Sequence, residues 1–418
     1  MTVTAAAPAP DLEQDDQSVA SALRAYVDRL RGGDVGSLPA ILGFIALVIL
    51  FSIMRPETFA SSRNAANLLV QATPVIFIAM GLVFVLLLGE IDLGAGFTAS
   101  TSAAVMGVLM TNHGVAWPLA VAACIATGVV VGLSVGLLVA RLNIPSFVVT
   151  LASFLGLQGV LLLVIGEGGT ISIISPVIIG IMNNNLSPVL GWLLFLVVVL
   201  GYAGGLLWTT AVRRRAGLPV ASTAILVAKV LALGVPLLIA TYLLNLERAV
   251  NPLIKSLRGI PIVVPFTLVF LLALTFLLSR TAFGRHVYAV GGNTEAARRA
   301  GINVPGIKIM CFVIGSTMAA VAGILFASYA NSISPSTGGS TTLLYAVGAT
   351  VIGGTSLFGG KGRVVDAILG GLVVAVIQNG LPLITQKSGI QYIVTGLVLL
   401  LAASVDAISR RRSAATGA

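Results

Sequence analysis

The sequence predicts an all-α polytopic membrane protein, and three observations carry that reading. Of 418 residues, 57% are hydrophobic and only 9% are charged, with a mean hydropathy of +1.06; a water-soluble domain carries about 25% charged residues. Apolar stretches recur from Leu38 to Ile408 at about the 20-residue length that a helix needs to cross a bilayer. The net charge of +10 is unevenly placed along the chain, as cytoplasmic loops of membrane proteins require. Nucleic-acid binding is set aside on these grounds. Cys124 and Cys311 fall inside apolar stretches, and His113 and His286 lie far apart without ligand spacing. Neither a disulfide framework nor a metal site is expected, and no cofactor.

Residues 1–37 open with an Ala/Pro tract and the acidic Asp11, Glu13, Asp15 and Asp16, the opposite of a signal peptide's positive start. The N-terminus is therefore expected to be retained. From Gln17 to Leu30, Val19, Leu23, Val27 and Leu30 keep helical spacing, which fits a short amphipathic helix on the membrane surface or a partner, or a loosely ordered tail. Hydropathy then places spans near 38–54, 74–89, 92–112, 115–140, 146–166, 188–208, 224–244, 262–279, 308–330, 343–358, 364–385 and 391–408. Twelve spans put both termini on one side. With that side cytoplasmic, 17 of the 24 basic residues lie inside, among them Arg213–Arg215, Arg298, Arg299 and Arg410–Arg412, and six lie outside. This is a strong positive-inside bias. The transmembrane domain runs over 38–410, and 411–418 form a tail of basic and small residues.

Glycine supplies 47 residues and clusters twice, in Gly89-Glu90-Ile91-Asp92-Leu93-Gly94 and in Gly353-Gly354-Thr355-Ser356-Leu357-Phe358-Gly359-Gly360. Each cluster follows an apolar run, Pro74–Leu88 or Leu343–Ile352, too short to cross as a straight helix. Short, glycine-interrupted segments in corresponding halves point to a transport pathway built from broken helices, although glycine also serves close helix packing. Glu90 and Asp92 are the only acidic residues between Thr58 and Gly166, and an intramembrane carboxylate is costly enough to suggest function. Three roles compete for them: a polar lining for a hydroxylated substrate, a proton or ion site, or a structural partner for backbone N–H groups. Lys229, Asp366 and Asp406 have quieter explanations in snorkelling, a helix first turn and nearby arginines.

The segment Arg280–Lys308 has the grammar of a capped surface helix. Asn293 or Thr294 supplies the cap, Glu295 opens the first turn, Arg298 and Arg299 close the last, and Gly301 is the stop. Such a helix on the cytoplasmic face could dock into a groove on another subunit. Gly359-Gly360-Lys361-Gly362 resembles the end of a phosphate-binding loop, but Thr355 and Gly362 break the pattern at both ends. An ATP site of the chain's own is not expected, nor is an enzyme acting alone.

Gly89-Glu90-Ile91-Asp92-Leu93, the Gly284–Gly301 loop with its Gly-Gly-Asn and Glu-Ala-Ala-Arg cores, and Gly353-Gly354-Thr355-Ser356-Leu357 with Gly359-Gly360 together resemble the membrane permease of bacterial ribose/xylose-type ABC sugar importers. The resemblance covers nearly all of the chain from Leu38 onward. It implies a core of about ten transmembrane helices, a homodimer of permeases in the inner membrane, ABC ATP-binding subunits beneath and an extracytoplasmic sugar-binding protein above. The cargo would be a monosaccharide, and residues 187–261 look like the two-helix insertion of xylose-type members, which favours a pentose such as xylose. By resemblance Asn293, Glu295, Ala296, Ala297, Arg298 and Gly301 belong to a coupling loop at about 280–307 that receives the ATPase stroke. Glu90, Asp92, Gly94, Gly353, Gly354, Thr355, Ser356 and Asn379 are the candidate pathway residues, and Gly94 departs from the serine common in the family. The rival reading is an ion-coupled secondary transporter using Glu90 and Asp92.

Overall fold

The computed structural model describes residues 36–218, 220–249, 251, 256–398, 400, 401 and 404. The amphipathic stretch at 17–30 and the tail at 411–418 lie outside the described residues. Every expected span has a helix at its place, although part of the last, 391–408, lies outside the described residues. The chain begins with α1 (Leu38–Met54), α2 (Ser62–Leu87), α3 (Ala95–Thr111), α4 (Trp117–Arg141) and α5 (Ser146–Ile165). After the two-residue strand β1 (Ile171–Ser172) and the short α6 (Pro176–Asn183) come α7 (Pro188–Arg215), α8 (Thr223–Asn245) and α9 (Val263–Arg280). The segment that follows folds as α10 (Ala282–Gly292) and α11 (Thr294–Arg299), and leads into α12 (Val304–Ala330). Strand β2 (Ser332–Ile333) pairs antiparallel with β1, and α13 (Ser340–Gly353), α14 (Val364–Ile384) and α15 (Ser388–Val398) complete the chain. Among the described residues, eight helices are long and apolar enough to cross a membrane, and α1, α3, α13 and α15 are shorter apolar helices.

Local chemistry accounts for the helix starts. Ser61, Ser187 and Asn303 each accept a backbone N–H three residues on, satisfying a donor the helix cannot. Proline stands in the first turn of α1, α4, α6, α7 and α12, where its missing N–H costs nothing. The core forms around α2 and α12, with Phe77, Phe84, Met80, Phe312 and Leu325 fully buried. Helix α4 lies against α12 along Gly128, Gly132 and Gly136, which meet Ser316, Phe312 and Ile309 in turn. Four-residue spacing of small residues is what lets two membrane helices approach backbone to backbone.

The connections sort into two faces. On one face, Gly89 meets Phe358 and Gly359, Gly291 meets Leu87, Ile91 meets Ser146, and Ser37 meets Arg363. On the other, β1 pairs with β2, Arg63 bonds the Arg248 carbonyl, and Leu186 bonds Ile260. These pairings join alternate connections of the chain, as expected where successive helices run up and down through one layer.

Two expectations about the broken helices need correction. The run before the first glycine cluster is not short: α2 begins at Ser62, twelve residues before Pro74, and its 26 residues span about 39 Å. The polar sequence Ser62-Arg63-Asn64-Ala65-Ala66-Asn67 hides this half of the helix from hydropathy. In the second half, the cluster at Gly353–Gly360 forms the turn between α13 and α14, and the deeper break lies earlier. Ile333 Cδ1 would meet a side chain at Gly107, and the Gly338 carbonyl would meet one at Gly96. Between them the non-helical chain descends along eleven residues of α3, roughly 16 Å. The 14-residue α13 starts only after that descent.

Candidate functional site

Three glycine-rich segments close on one another at the face that carries α10 and α11. The Gly360 N–H donates to the Leu87 carbonyl at 2.9 Å, and the Tyr288 hydroxyl of α10 donates to the Gly362 carbonyl at 2.7 Å. A Cβ at Gly291 would stand 1.8 Å from the Leu87 carbonyl oxygen, so only glycine permits this approach. Gly89 takes φ +73°, which turns the chain out of α2 and toward Phe358. The end of α2, the end of α10 and the α13–α14 turn therefore form one junction.

Glu90 leaves this junction and forms an ion pair with Lys308 in the first turns of α12. Both side chains are largely shielded, 15% and 21% exposed. Asp92 is buried, and its Oδ1 accepts the Gly94 N–H at 2.8 Å at the start of α3. Asp92 thus meets a backbone N–H, as the structural role would have it, whereas Glu90 meets a cation, which none of the three roles had named. A side chain at Gly94 would lie 3.3 Å from Asp92 Oδ1 and from Ser153 Cβ, so the position has no room to spare. Gly353 and Gly354 end α13, the latter at φ +118°. Ser356 Oγ accepts the Phe358 N–H at 3.0 Å, while the Thr355 hydroxyl is buried beside Gly362 with no partner. Of this group, the 359–362 turn meets α10, whereas Asp92 and Gly94 lie beside α5 and Gly353 beside α14.

Helix α11 has the expected anatomy. The Asn293 side chain accepts the Ala296 N–H at 2.9 Å, Glu295 pairs with Arg298 at 3.3 Å and with Arg299 at 3.7 Å, and Gly301 takes φ +81°. Ala297 alone is buried, so Glu295, Ala296 and Arg298 are presented outward. What the expectation missed is α10, an 11-residue helix that seats α11 on the junction through Gly291. Its buried Val287 and Val290 beside exposed Arg285 and His286 are the signal that could have found it.

Asn379 lies elsewhere. Its side chain accepts from Asn64 at 2.7 Å and donates to Gln71 at 3.2 Å, linking α14 to α2. Gln71 is sixteen residues from Leu87, roughly 24 Å along α2 from the glycine junction. Above this amide chain, at the opposite face, Asn64 and Asn67 line a polar cleft of about 490 Å³ together with Glu57, Ser61, Glu247 and Arg248. Deeper beside α3, the Ser334 hydroxyl lies 2.9 Å from that of Ser336 and 3.2 Å from that of Thr337 on the descending segment. Irregular backbone at membrane depth survives only where protein or a water-filled cavity satisfies it. Asn64, Asn67, Gln71 and Ser334–Thr337 were not singled out in the sequence. Their signal was available: amides at i, i+3 and i+7 on one face, and a Ser/Thr/Gly run inside an apolar half.

A family model described as Branched-chain amino acid transport system / permease component matches residues 64–403. The chain is 35% identical over 374 residues to the Xylose transport system permease protein of Escherichia coli (strain K12), covering 89% of this chain and 92% of that protein. It is 34% identical over 375 residues to the protein of the same name in Haemophilus influenzae, covering 89% and 96%. Against the Ribose import permease protein of Bacillus subtilis (strain 168) it is 31% identical over 383 residues, covering 91% and 95%. No solved structure matches. With four-fifths of its length inside that family match, on a multi-pass all-helical fold, the chain belongs to the branched-chain amino acid transport system / permease component family.

Proposed function

We propose that this chain is the membrane permease of an ATP-driven sugar importer and that its cargo is a monosaccharide, specifically a pentose such as xylose. The observation that carries the reading is the end-to-end similarity to xylose permeases. The permease does not hydrolyse ATP; a separate ABC ATP-binding subunit docks at α11, and a second permease copy completes the dimer. Sugar arrives on a binding protein at the opposite face, at the polar cleft of Asn64 and Asn67. The amide chain of Asn64, Asn379 and Gln71 and the hydroxyls of Ser334–Thr337 then offer a polyol the paired donors and acceptors it needs, without permanent charge. In this reading α7 and α8 are the two-helix insertion, the chain resides in the bacterial inner membrane, and both termini are cytoplasmic. The basic residues that flank the junction face support this orientation.

The secondary-transporter alternative asks Glu90 and Asp92 for a coupling ion, yet each is already engaged by a partner. Coupling instead runs from α11 through Gly291 into the end of α2 and the α13–α14 turn. Reconstituted vesicles test the whole reading. The chain alone should be inert, addition of the ATPase should give ATP hydrolysis, and addition of xylose-loaded binding protein should give uptake that survives collapse of the proton gradient. Glu295→Lys should leave membrane insertion normal, because the surface pairs it breaks are worth less than about 1 kcal/mol each, while abolishing ATPase association and uptake. Sugar accumulation by the chain alone, or uptake that depends on the gradient at constant ATP, would overturn the importer. Failure with xylose and success with another sugar would overturn only the cargo.

A further inference from the structure

The cleft between α7, α8 and α9 belongs to neither the junction nor the amide chain. It measures about 610 Å³ and brings together Arg213 near the end of α7, Lys229 inside α8 and Arg280 at the end of α9. No carboxylate lines it, and among the described residues none of the three cations has an ion-pair partner. Thr209 and Thr210 add hydroxyls to the wall. Lys229 is six residues into α8, roughly 9 Å from its start. Arg213 and Arg280 stand at helix ends beside it, and three like charges lining one cleft repel one another unless an anion joins them.

The surroundings identify the anion. Helices α7 and α8 bury almost nothing inside the molecule, and Trp208, on the cleft wall, is 74% exposed. Leu207 and Val212 beside it are also exposed. The charged cleft therefore borders the exposed apolar side chains of Leu207, Trp208 and Val212 at the level of the helix ends. A soluble anion would meet only the cations, whereas an acidic phospholipid would meet cations with its phosphate and those apolar groups with its chains. We infer that Arg213, Lys229 and Arg280 form a binding site for the phosphate of an anionic phospholipid from the leaflet on the α11 side. Basic pockets between membrane helices hold acidic headgroups in this way. The assignment depends on the orientation proposed above only for the name of that leaflet.

The test uses the purified full chain in discs containing phosphatidylglycerol and phosphatidylcholine, with retained lipid counted by native mass spectrometry. Wild type should retain phosphatidylglycerol preferentially. Each cation removed should weaken that retention about fivefold, so Arg213→Gln/Lys229→Gln/Arg280→Gln should erase the preference. Arg141→Gln/Arg214→Gln/Arg215→Gln removes the same charge from the same face and should keep it, since none of these residues lines the cleft. Inorganic phosphate at millimolar concentration should not displace the lipid. Where the triple variant does not yield monodisperse protein, Lys229→Gln alone should show the single fivefold loss. Equal loss in both triple variants, displacement by inorganic phosphate, or no preference in wild type would each overturn the site.

Discussion

Helix α2 and the α7–α8 hairpin are equally apolar, with mean hydropathies of 2.3, 2.2 and 2.3 over their most apolar windows. Their places could hardly differ more. Of those windows, 83% is buried in α2, 6% in α7 and none in α8. Lipid and protein interior are alike in polarity, so hydropathy finds a span without saying which neighbour it will have. What separates the two regions is how their glycines are used. Around α2 and α12, Gly81 meets Gly315, and a Cβ at Gly323 would stand 2.1 Å from the Ala99 carbonyl oxygen. In α7, Gly201, Gly204 and Gly205 meet nothing within 4 Å. A glycine-rich helix is thus a packed helix only where its glycines oppose a backbone.

The largest effect that would break this comparison is a side chain at Gly323. Gly323→Val must displace α3 from α12, and overpacking of a tight core costs about 1–3 kcal/mol where relaxation is possible. Here the obstacle is backbone, so loss of monodisperse protein in detergent is expected. Gly204→Val, in an equally apolar helix, should leave the chromatographic profile unchanged, because the exposed position has open space around it. Equal tolerance at both positions would mean that α3 and α12 are not in contact.

The Glu90–Lys308 pair gives the next effect. It ties the connection after α2 to the first turns of α12, at the edge of the glycine junction. Removing one partner leaves a shielded charge alone, at a cost of about 1.5–3 kcal/mol for a charged hydrogen bond. Glu90→Gln and Lys308→Met should each lower the melting temperature and uptake, and Glu90→Gln/Lys308→Met should recover part of the stability. A coupling-ion role for Glu90 predicts the opposite pattern, with uptake lost in every Glu90 variant and stability unmoved by Lys308. The two are separated by the stability of the double variant.

Which parts of this were legible follows from the same physics. The apolar helices were visible because a hydrocarbon slab selects for apolar length, and α11 was visible because capping is a local code read within eight residues. The start of α2 was not, since Asn64, Asn67 and Gln71 lower its hydropathy while turning toward α14 and the polar cleft. Nor was the meeting of Gly291 with Leu87, as no local pattern states which distant backbone a glycine will oppose. The clusters at Gly89 and Gly353–Gly360 had been paired as breaks in corresponding halves, and the structure shows a different relation, a direct contact. They are partners in one junction, and the break at 334–339 belongs to a stretch marked by Pro335 and by Ser, Thr and Gly without a charge.

The smallest effect lies where the peripheral hairpin rejoins the core, in the connection from α8 to α9. Glu247 accepts from the Ser256 hydroxyl at 2.7 Å and from the backbone N–H groups of Leu257 and Ala249 at 2.9 and 3.0 Å, and pairs with Arg258 at 3.0 Å. Those donors, the Ser256 hydroxyl foremost, hold its carboxyl down at about 2 from the usual 4.5. Because the folded value lies below the unfolded one, the stabilisation is complete above about pH 4.5 and disappears as pH falls toward about 2. Hydrogen-exchange protection at Ala249 and Leu257, corrected for the intrinsic rate, should therefore be flat from about pH 8 to about pH 5 and decline below about pH 4. Glu247→Gln keeps the shape but loses the charge, so it should bring the low-pH protection to neutral pH while α2 and α12 remain as protected as in wild type. Protection that falls between about pH 7 and pH 5 would assign the loop to a group titrating in that range, and the hairpin would then be anchored by something other than Glu247.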